Sequence, residues 1–328
     1  MNFAFAGAPE FAAWVLRDLV GHGRRPALVI SQPDRPCGRG RRPAAPPVVA
    51  AAELLDVPCL QTEDISSHAV MERLSAEGVS TLVVAAFGQI LKRQLLDSLL
   101  CLNIHASLLP AYRGAAPIER ALAAGEDRTG VSIMRITEHL DEGPWALQTA
   151  VSIGLRDDAG SVGRLLALAG AIGMDQVLTA ICDDTVGWTE QTGASCYAGK
   201  VSAPDCVLDT RRSAKAAHDH VRSLSPTIGA RVSSGGMELK VWRTWPYGEC
   251  GLDAIPAGAE GAAGSPGKLL VRNGRLFAGC AEGVIEILSI QPAGKGRMAT
   301  PAFLRGYSGR LGDGLDRPAG AACAADDD

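Results

Sequence analysis

Phe3-Ala4-Phe5-Ala6-Gly7-Ala8-Pro9-Glu10-Phe11 opens with an apolar β-type run, a glycine that permits a tight turn, and a proline that starts a helix. Residues 3–6 read as a buried strand and 11–20 as the helix after it. The same alternation continues along the first half of the chain. Strands are predicted at 27–31, 81–86 and 131–136, with extended pieces at 60 and 145–153 and a strand end at 101–105. Helices are predicted at 48–55, 71–77, 94–99, 117–124 and 161–181. Strands alternating with helices at this spacing predict βαβ units, that is, a Rossmann-like, mostly parallel sheet of the α/β class covered on both faces. Ligands of such sheets gather beyond the carboxyl ends of the strands. The Gly7 turn is not a GxGxxG, so it gives nucleotide-phosphate binding little support and can be structural alone.

The 328 residues suggest two domains at about 150 residues each. After a predicted linker at 183–206, short strand-like runs at 232–245, 267–271, 275–278 and 284–290 are separated by Gly, Pro and Asn. That pattern predicts a small β-barrel over 207–312. The first domain is then 1–182. The end of the chain, 313–328, is expected to be a disordered tail, since from Pro318 onward it lacks core-forming residues.

Hydrophobic residues make up 47% and charged ones 21%, enough apolar content for a sizeable core. Aromatics are only 5%, so that core must lean on Ala, Val, Leu and Ile. A net charge of −4 excludes a whole-molecule positive field toward nucleic acid or membrane. Local patches run the other way. Arg35, Arg39, Arg41 and Arg42 face only Asp34 between 31 and 49. Arg211, Arg212, Lys215, Arg222 and Arg231 face Asp219, with His218 and His220 nearby. Such patches serve polyanion binding, and a merely solvated Arg-rich loop accounts for them equally well. The nine cysteines form no CxxC and no zinc-like cluster with His, so no metal is expected. The N-terminus reads as a strand rather than a signal peptide, and no apolar stretch approaches the roughly 18 residues of a membrane span. A reducing cytoplasm is the expected location.

Three residues could carry chemistry. If 101–105 is extended, Asn103 and His105 share one face at a strand's carboxyl end. An amide NH₂ can donate to a carbonyl oxygen on which charge develops, and an imidazole can exchange a proton with a reacting nitrogen. Asp141, in the stiff Leu140-Asp141-Glu142-Gly143-Pro144 loop, could orient that histidine. Taken alone, Asn103 and His105 equally describe a structural hydrogen-bonded pair, and Asp141 a turn residue bonding its own backbone. Arg113 and Gly114 read as loop-fixing or anion-facing.

The segments FAGAPEF (5–11), SQPDRPCGRG (31–40), VVAAFG (83–88), NIHASLLPAYRGAAPIERAL (103–122), TGVSIM (129–134), LDEG (140–143) and SIQPAGKGRM (289–298) together resemble the folate-dependent formyltransferases, and within them the methionyl-tRNA formyltransferase family. The resemblance runs from residue 3 to 298. It implies a formyl donor, 10-formyltetrahydrofolate, an acceptor amine on methionyl-initiator tRNA, and no metal. Asn103 would hold the formyl oxygen, His105 would act as general acid/base, and Asp141 would orient it and a relay water. Ser107, Leu108, Leu109 and Pro110 match the folate-binding stretch, and Phe87, Gly88, Ile90 and Leu91 would line the pteridine pocket. The SQPDRPCGRGRR segment matches the basic loop of the tRNA-acting family, so Arg35, Arg39, Arg41 and Arg42 would contact phosphates. The β-rich second part resembles the family's OB-like domain, with Arg211, Arg212, Lys215 and Arg222 as backbone contacts. No membrane and no obligate protein partner are implied, and a monomer is expected. Phe87 stands where the family usually has Tyr, His139 where Gly is commoner, and Val207 and Thr210 where Arg and Trp are usual. An amino-sugar acceptor, or a catalytically silent binder, are the competing readings.

Overall fold

The computed structural model describes residues 2–37 and 42–318. Two compact units emerge. One is built from residues up to 117, 128–153 and 162–199; the other takes 118–127, 154–161 and the chain from 200 onward. Along the first part run β1 (Asn2–Gly7), α1 (Glu10–Gly21), β2 (Leu28–Ser31), β3 (Arg35–Cys37), β4 (Arg42–Ala44), α2 (Pro47–Leu54), β5 (Cys59–Gln61), α3 (His68–Ala76), β6 (Val79–Ala85), α4 (Arg93–Ser98), β7 (Leu100–His105), α5 (Pro117–Ala124), β8 (Arg128–Arg135), β9 (Trp145–Ser152) and α6 (Ala159–Cys182).

The first unit is a seven-stranded sheet in the order β5-β2-β1-β6-β7-β8-β9. Its first five strands are parallel, while β8 and β9 run antiparallel to their neighbours. Continuous apolar runs make the central strands, because both faces are covered. Ala4 and Ala6 of β1 join Leu82 and Val84 of β6 in a buried cluster with Val70 and Leu74 of α3 and Leu95 of α4. On the opposite face, a Cβ added to Gly170 of α6 would lie 2.5 Å from Ile104. Gly7 is demanded by the same closeness, since a Cβ there would meet that of Ala12 at 2.5 Å. Its turn is explained by helix–strand packing.

Helix α6 corrects one expectation. It has 24 residues and is, by length and composition, apolar enough to cross a membrane. Ten of its residues, Leu166, Ala167 and Met174 among them, are buried inside the protein. The stretch expected to be a linker is also tied down. Residues Trp145 and Thr189 exchange backbone hydrogen bonds of 2.9 and 2.8 Å, and Ala198 donates to Arg113 at 2.6 Å.

The second unit adds α7 (Ala214–Ser223), β10 (Ala230–Ser234), β11 (Met237–Tyr247), β12 (Leu269–Arg272), β13 (Arg275–Gly279), β14 (Val284–Pro292), β15 (Met298–Ala299) and α8 (Thr300–Tyr307). The antiparallel order is β10-β11-β14-β13-β12, with β15 on β14. Ser213 caps α7 by accepting from the Ala216 amide at 3.3 Å. Ala217 and Val221 then pack with Val241, Ile287 and Phe303 in the core. Residues 313–316, expected to belong to a disordered tail, do something else. Asp313 and Leu315 bond to Leu269 and Gly267 beside β12, and Asp316 exchanges two bonds with Ser233 of β10. They join the two edges of the sheet and satisfy donors that an open edge would expose. Residues 319–328 lie outside the described residues.

Candidate functional site

β7 carries Asn103 and His105 at its carboxyl end, where Asn103 lies opposite Val84 of β6 and Met134 of β8. Because Ile104 faces α6, both side chains point to the other face of the sheet. Asn103 is half-buried, and its amide has no hydrogen-bond partner among the described residues. His105 is only 5% exposed. Its Nε2 lies 2.9 Å from the Tyr112 carbonyl, and its Nδ1 3.6 Å from Oδ2 of Asp141. A carbonyl only accepts, so Nε2 holds the proton of the neutral ring. Nδ1 then presents a lone pair on the carboxylate side.

Asp141 reaches this place through a left-handed backbone, φ +54°. Its Oδ2 accepts from the Gly114 amide at 2.8 Å, in a loop 27 residues away, rather than from its own turn. Gly143 closes the same loop, since a Cβ there would fall 1.9 Å from the Arg135 carbonyl. Tyr112, at φ +57°, and Gly114, at φ +116°, hold the opposing loop in left-handed conformations too. Strain concentrated on both sides of one histidine is paid for by the hydrogen bonds around it. Arg113 is loop-fixing, not anion-facing. It donates to Gln191 Oε1 from Nε at 3.1 Å and from a terminal nitrogen at 2.9 Å, and to Glu142 at 2.8 Å.

Ser107, Leu108, Leu109 and Pro110 form the loop after β7. Ser107 is fully buried and donates to the Ala111 carbonyl at 2.5 Å, so its hydroxyl is spent within the loop. Ser132 of β8 donates to the Ser107 carbonyl at 2.7 Å and accepts from the Leu109 amide at 3.1 Å. Gln148 of β9 donates to the Leu109 carbonyl at 2.8 Å and to Ser132 at 2.9 Å. Leu108 lies over Gly130, where a Cβ would come within 2.3 Å of it. The loop is thus strapped to the two antiparallel strands.

Phe87, Gly88, Ile90 and Leu91 divide. The Phe87 ring is buried in the α3/α4 cluster, so it faces the core, while its carbonyl accepts from Gln32 at 2.5 Å. Gly88 has φ +75°, Leu91 packs partly on that core, and Ile90 is 87% exposed. Gln32, Ser132, Gln148 and Gln191 were not singled out in the sequence. A serine inside the apolar run of β8 is a signal that could have found Ser132 and, through it, Gln148; Gln32 and Gln191 carry no such signal.

Of the basic residues, Arg35 and Arg212 are exposed. Arg39 and Arg41, and the side chain of Arg42, lie outside the described residues. Arg211 pairs with Asp209 at 2.9 Å, and Lys215 with Asp219 at 2.7 Å. Arg222 is a correction. It is 6% exposed, pairs with Asp219 at 2.7 Å and donates to the Gly154 carbonyl at 2.9 Å, so it is an internal tie and not a surface contact. His218 and His220 bring no positive charge either, since burial pushes both below the usual histidine range. Among the described residues no three metal-ligating side chains gather.

Residues 1–178 match the formyl transferase family and 200–308 the formyl transferase C-terminal domain. A methionyl-tRNA formyltransferase of Rubrobacter xylanophilus is 46% identical over 94% of this chain and 98% of its own length. That of Thiobacillus denitrificans is 38% identical over 93% and 96%. Among solved structures, HypX from Aquifex aeolicus in complex with tetrahydrofolic acid superposes with a TM-score of 0.63 at 14% identity, over 93% of this chain and 47% of that one. WlaRD, a sugar 3N-formyl transferase in the presence of dTDP and 5-N-formyl-THF, gives 0.61 at 16% identity, over 90% and 98%. At those identities the solved structures speak for the fold alone. The sequence relatives go further: the chain belongs to the methionyl-tRNA formyltransferase family.

Proposed function

We propose that this chain transfers a formyl group from 10-formyltetrahydrofolate to the amino group of methionyl-initiator tRNA, for translation initiation. The observation that carries the reading is the pairing of buried His105 with Asp141 beside the unpartnered Asn103 amide, at the carboxyl end of a parallel strand. In that reading the methionyl amine attacks the formyl carbon, and Asn103 donates to the oxygen as it gains charge. His105 takes the proton the amine loses, Asp141 balances the imidazolium and orients a relay water, and the proton passes to the folate nitrogen as its bond to carbon breaks. No electron carrier and no metal enter that balance.

In that reading the strapped Ser107–Pro110 loop forms part of the folate site through its backbone, and Gly88, Ile90 and Leu91 line the pteridine pocket with Phe87 contributing its backbone. Arg35, Arg39, Arg41 and Arg42 of the 31–42 segment would meet tRNA phosphates, as would Arg211, Arg212 and Lys215 of the second unit. Catalysis is thus assigned to the first domain and tRNA contact to its Arg-rich segment together with the second domain, with the protein acting as a monomer in the cytoplasm. The test compares acceptors directly: purified protein with 10-formyltetrahydrofolate is given charged initiator tRNA or amino sugars. Formylation of the tRNA is expected. Exclusive formylation of the sugars would overturn the acceptor, and no transfer to either would overturn the reaction.

A further inference from the structure

Gln191 lies in the stretch expected to be a linker, yet its side chain meets the two loops that flank His105. Its Nε2 donates to the carbonyls of Asp141 at 2.7 Å and Gly143 at 2.8 Å. Its Oε1 accepts from Nε and a terminal nitrogen of Arg113 at 3.1 and 2.9 Å. A carboxamide has one donating and one accepting end. Arg113 offers only donors, and the two carbonyls only accept, so the amide can sit in one orientation alone. Arg113 is itself held by Glu142, and the next residue, Gly114, donates to the Asp141 carboxylate. The chain of bonds therefore runs from Gln191 to both ends of the Asp141 residue, its backbone carbonyl directly and its Oδ2 through the 113–114 loop. Asp141 is in a left-handed conformation that an isolated Asp would leave readily.

We infer that Gln191 is a positioning residue for formyl transfer, stapling the Asp141 loop to the Arg113–Gly114 loop so that the carboxylate stays opposite Nδ1 of His105. The inference rests on the formyl-transfer reading above. Gln191 touches no reacting atom; it acts through Asp141. Displacing a catalytic group by about 1 Å can cost on the order of 100-fold in rate, so the effect belongs in kcat rather than in binding.

The decisive variant is Gln191→Glu, which keeps size and the acceptor for Arg113 but turns an oxygen toward the two carbonyls. The expected result is a kcat lower by about 10- to 100-fold, with KM for both substrates within about 3-fold of wild type. Placed on top of Asp141→Asn, the same change is expected to cost less than about 2-fold, because the group it positions is already disabled. Amide exchange at Gly114 should rise while that of β1 and β6 stays unchanged. Should Gln191→Glu not fold, Gln191→Asn, which keeps the amide but withdraws it by one methylene, carries the same expectations. Full activity in these variants, or a loss that multiplies with Asp141→Asn and appears in KM, overturns the inference. A wild-type protein that formylates nothing overturns the functional reading instead, so the two failures are told apart.

Discussion

His105 and His218 are buried to nearly the same extent, 5% and 4% exposed, and each directs Nε2 at a backbone carbonyl, 2.9 Å from Tyr112 in one case and 2.8 Å from Leu155 in the other. They differ at the second nitrogen. Nδ1 of His218 meets the Thr244 hydroxyl at 2.9 Å, whereas that of His105 faces the Asp141 carboxylate. A hydroxyl can donate to the lone pair of a neutral ring, and burial at His218 does lower its affinity for a proton. A carboxylate cannot donate; it can only answer a charge the ring acquires. Burial alone therefore suffices for a structural histidine, whereas in the proposed reading the buried acid opposite its free nitrogen is what lets His105 handle a proton.

The sharpest way to break that comparison is to exchange the company of each ring. His105→Ala or Asp141→Asn is expected to lower kcat by about 10²- to 10⁴-fold while the unfolding transition stays cooperative. His218→Gln should leave kcat within a few-fold and lower stability instead. Steady-state kinetics alongside denaturant melts separates the two, and an active, folded His105→Ala would remove the catalytic assignment. Next in size is the cluster near His218. Asp219 accepts from Arg222 and Lys215, and Asp219→Ala leaves the buried Arg222 unpaired. A cost of about 3–5 kcal/mol is expected from urea unfolding, with formyl transfer at low denaturant retained. Smaller again is Ser132→Ala, which removes two hydrogen bonds from the 107–110 loop. Folate KM is expected to rise by about 10-fold, matching roughly 1–2 kcal/mol for the lost bonds, and an unchanged KM would detach that loop from folate.

The parts of this molecule legible in the sequence are those governed by periodicity. The runs at 3–6 and 81–86 were readable as strands because both faces of a central parallel strand are apolar, and Asn103 and His105 shared a face because strands alternate. What the period could not give was direction and partnership. Nothing in the 131–136 run distinguishes an antiparallel β8 from a parallel one. Arg222 reads as a surface cation by composition, and only the carboxylate of Asp219 and two carbonyls from 154–157 make it internal. Residues 313–316 offer one apolar side chain, Leu315, which packs on the core of the second unit, and the rest of their fixation is through backbone bonds to Gly267, Leu269 and Ser233, which hydropathy does not see. Gln191 escaped for a similar reason: its value lies in two carbonyls about 50 residues away.

The smallest effect tests the structural histidine in its own terms. Burial holds His218 below its ordinary 6.5; the positive charges of Arg222 and Lys215 push the same way, and the Leu155 carbonyl and Asp219 oppose them with less effect. A histidine with a lowered folded value binds fewer protons in the native state than in the unfolded one. Its contribution is thus complete above about pH 6.5 and is lost as the pH falls toward the folded value, with a limiting slope of about 1.4 kcal/mol per pH unit. His220, lowered by burial as well and bonded at 2.7 Å to the Asp205 carbonyl, acts in the same direction. Urea unfolding between pH 5 and 8 should show stability declining on the acid side, and His218→Gln should flatten that decline because a glutamine amide has no proton to gain. If wild type and variant fall in parallel, the acid sensitivity originates elsewhere, and His218 loses its place as the structural counterpart of His105.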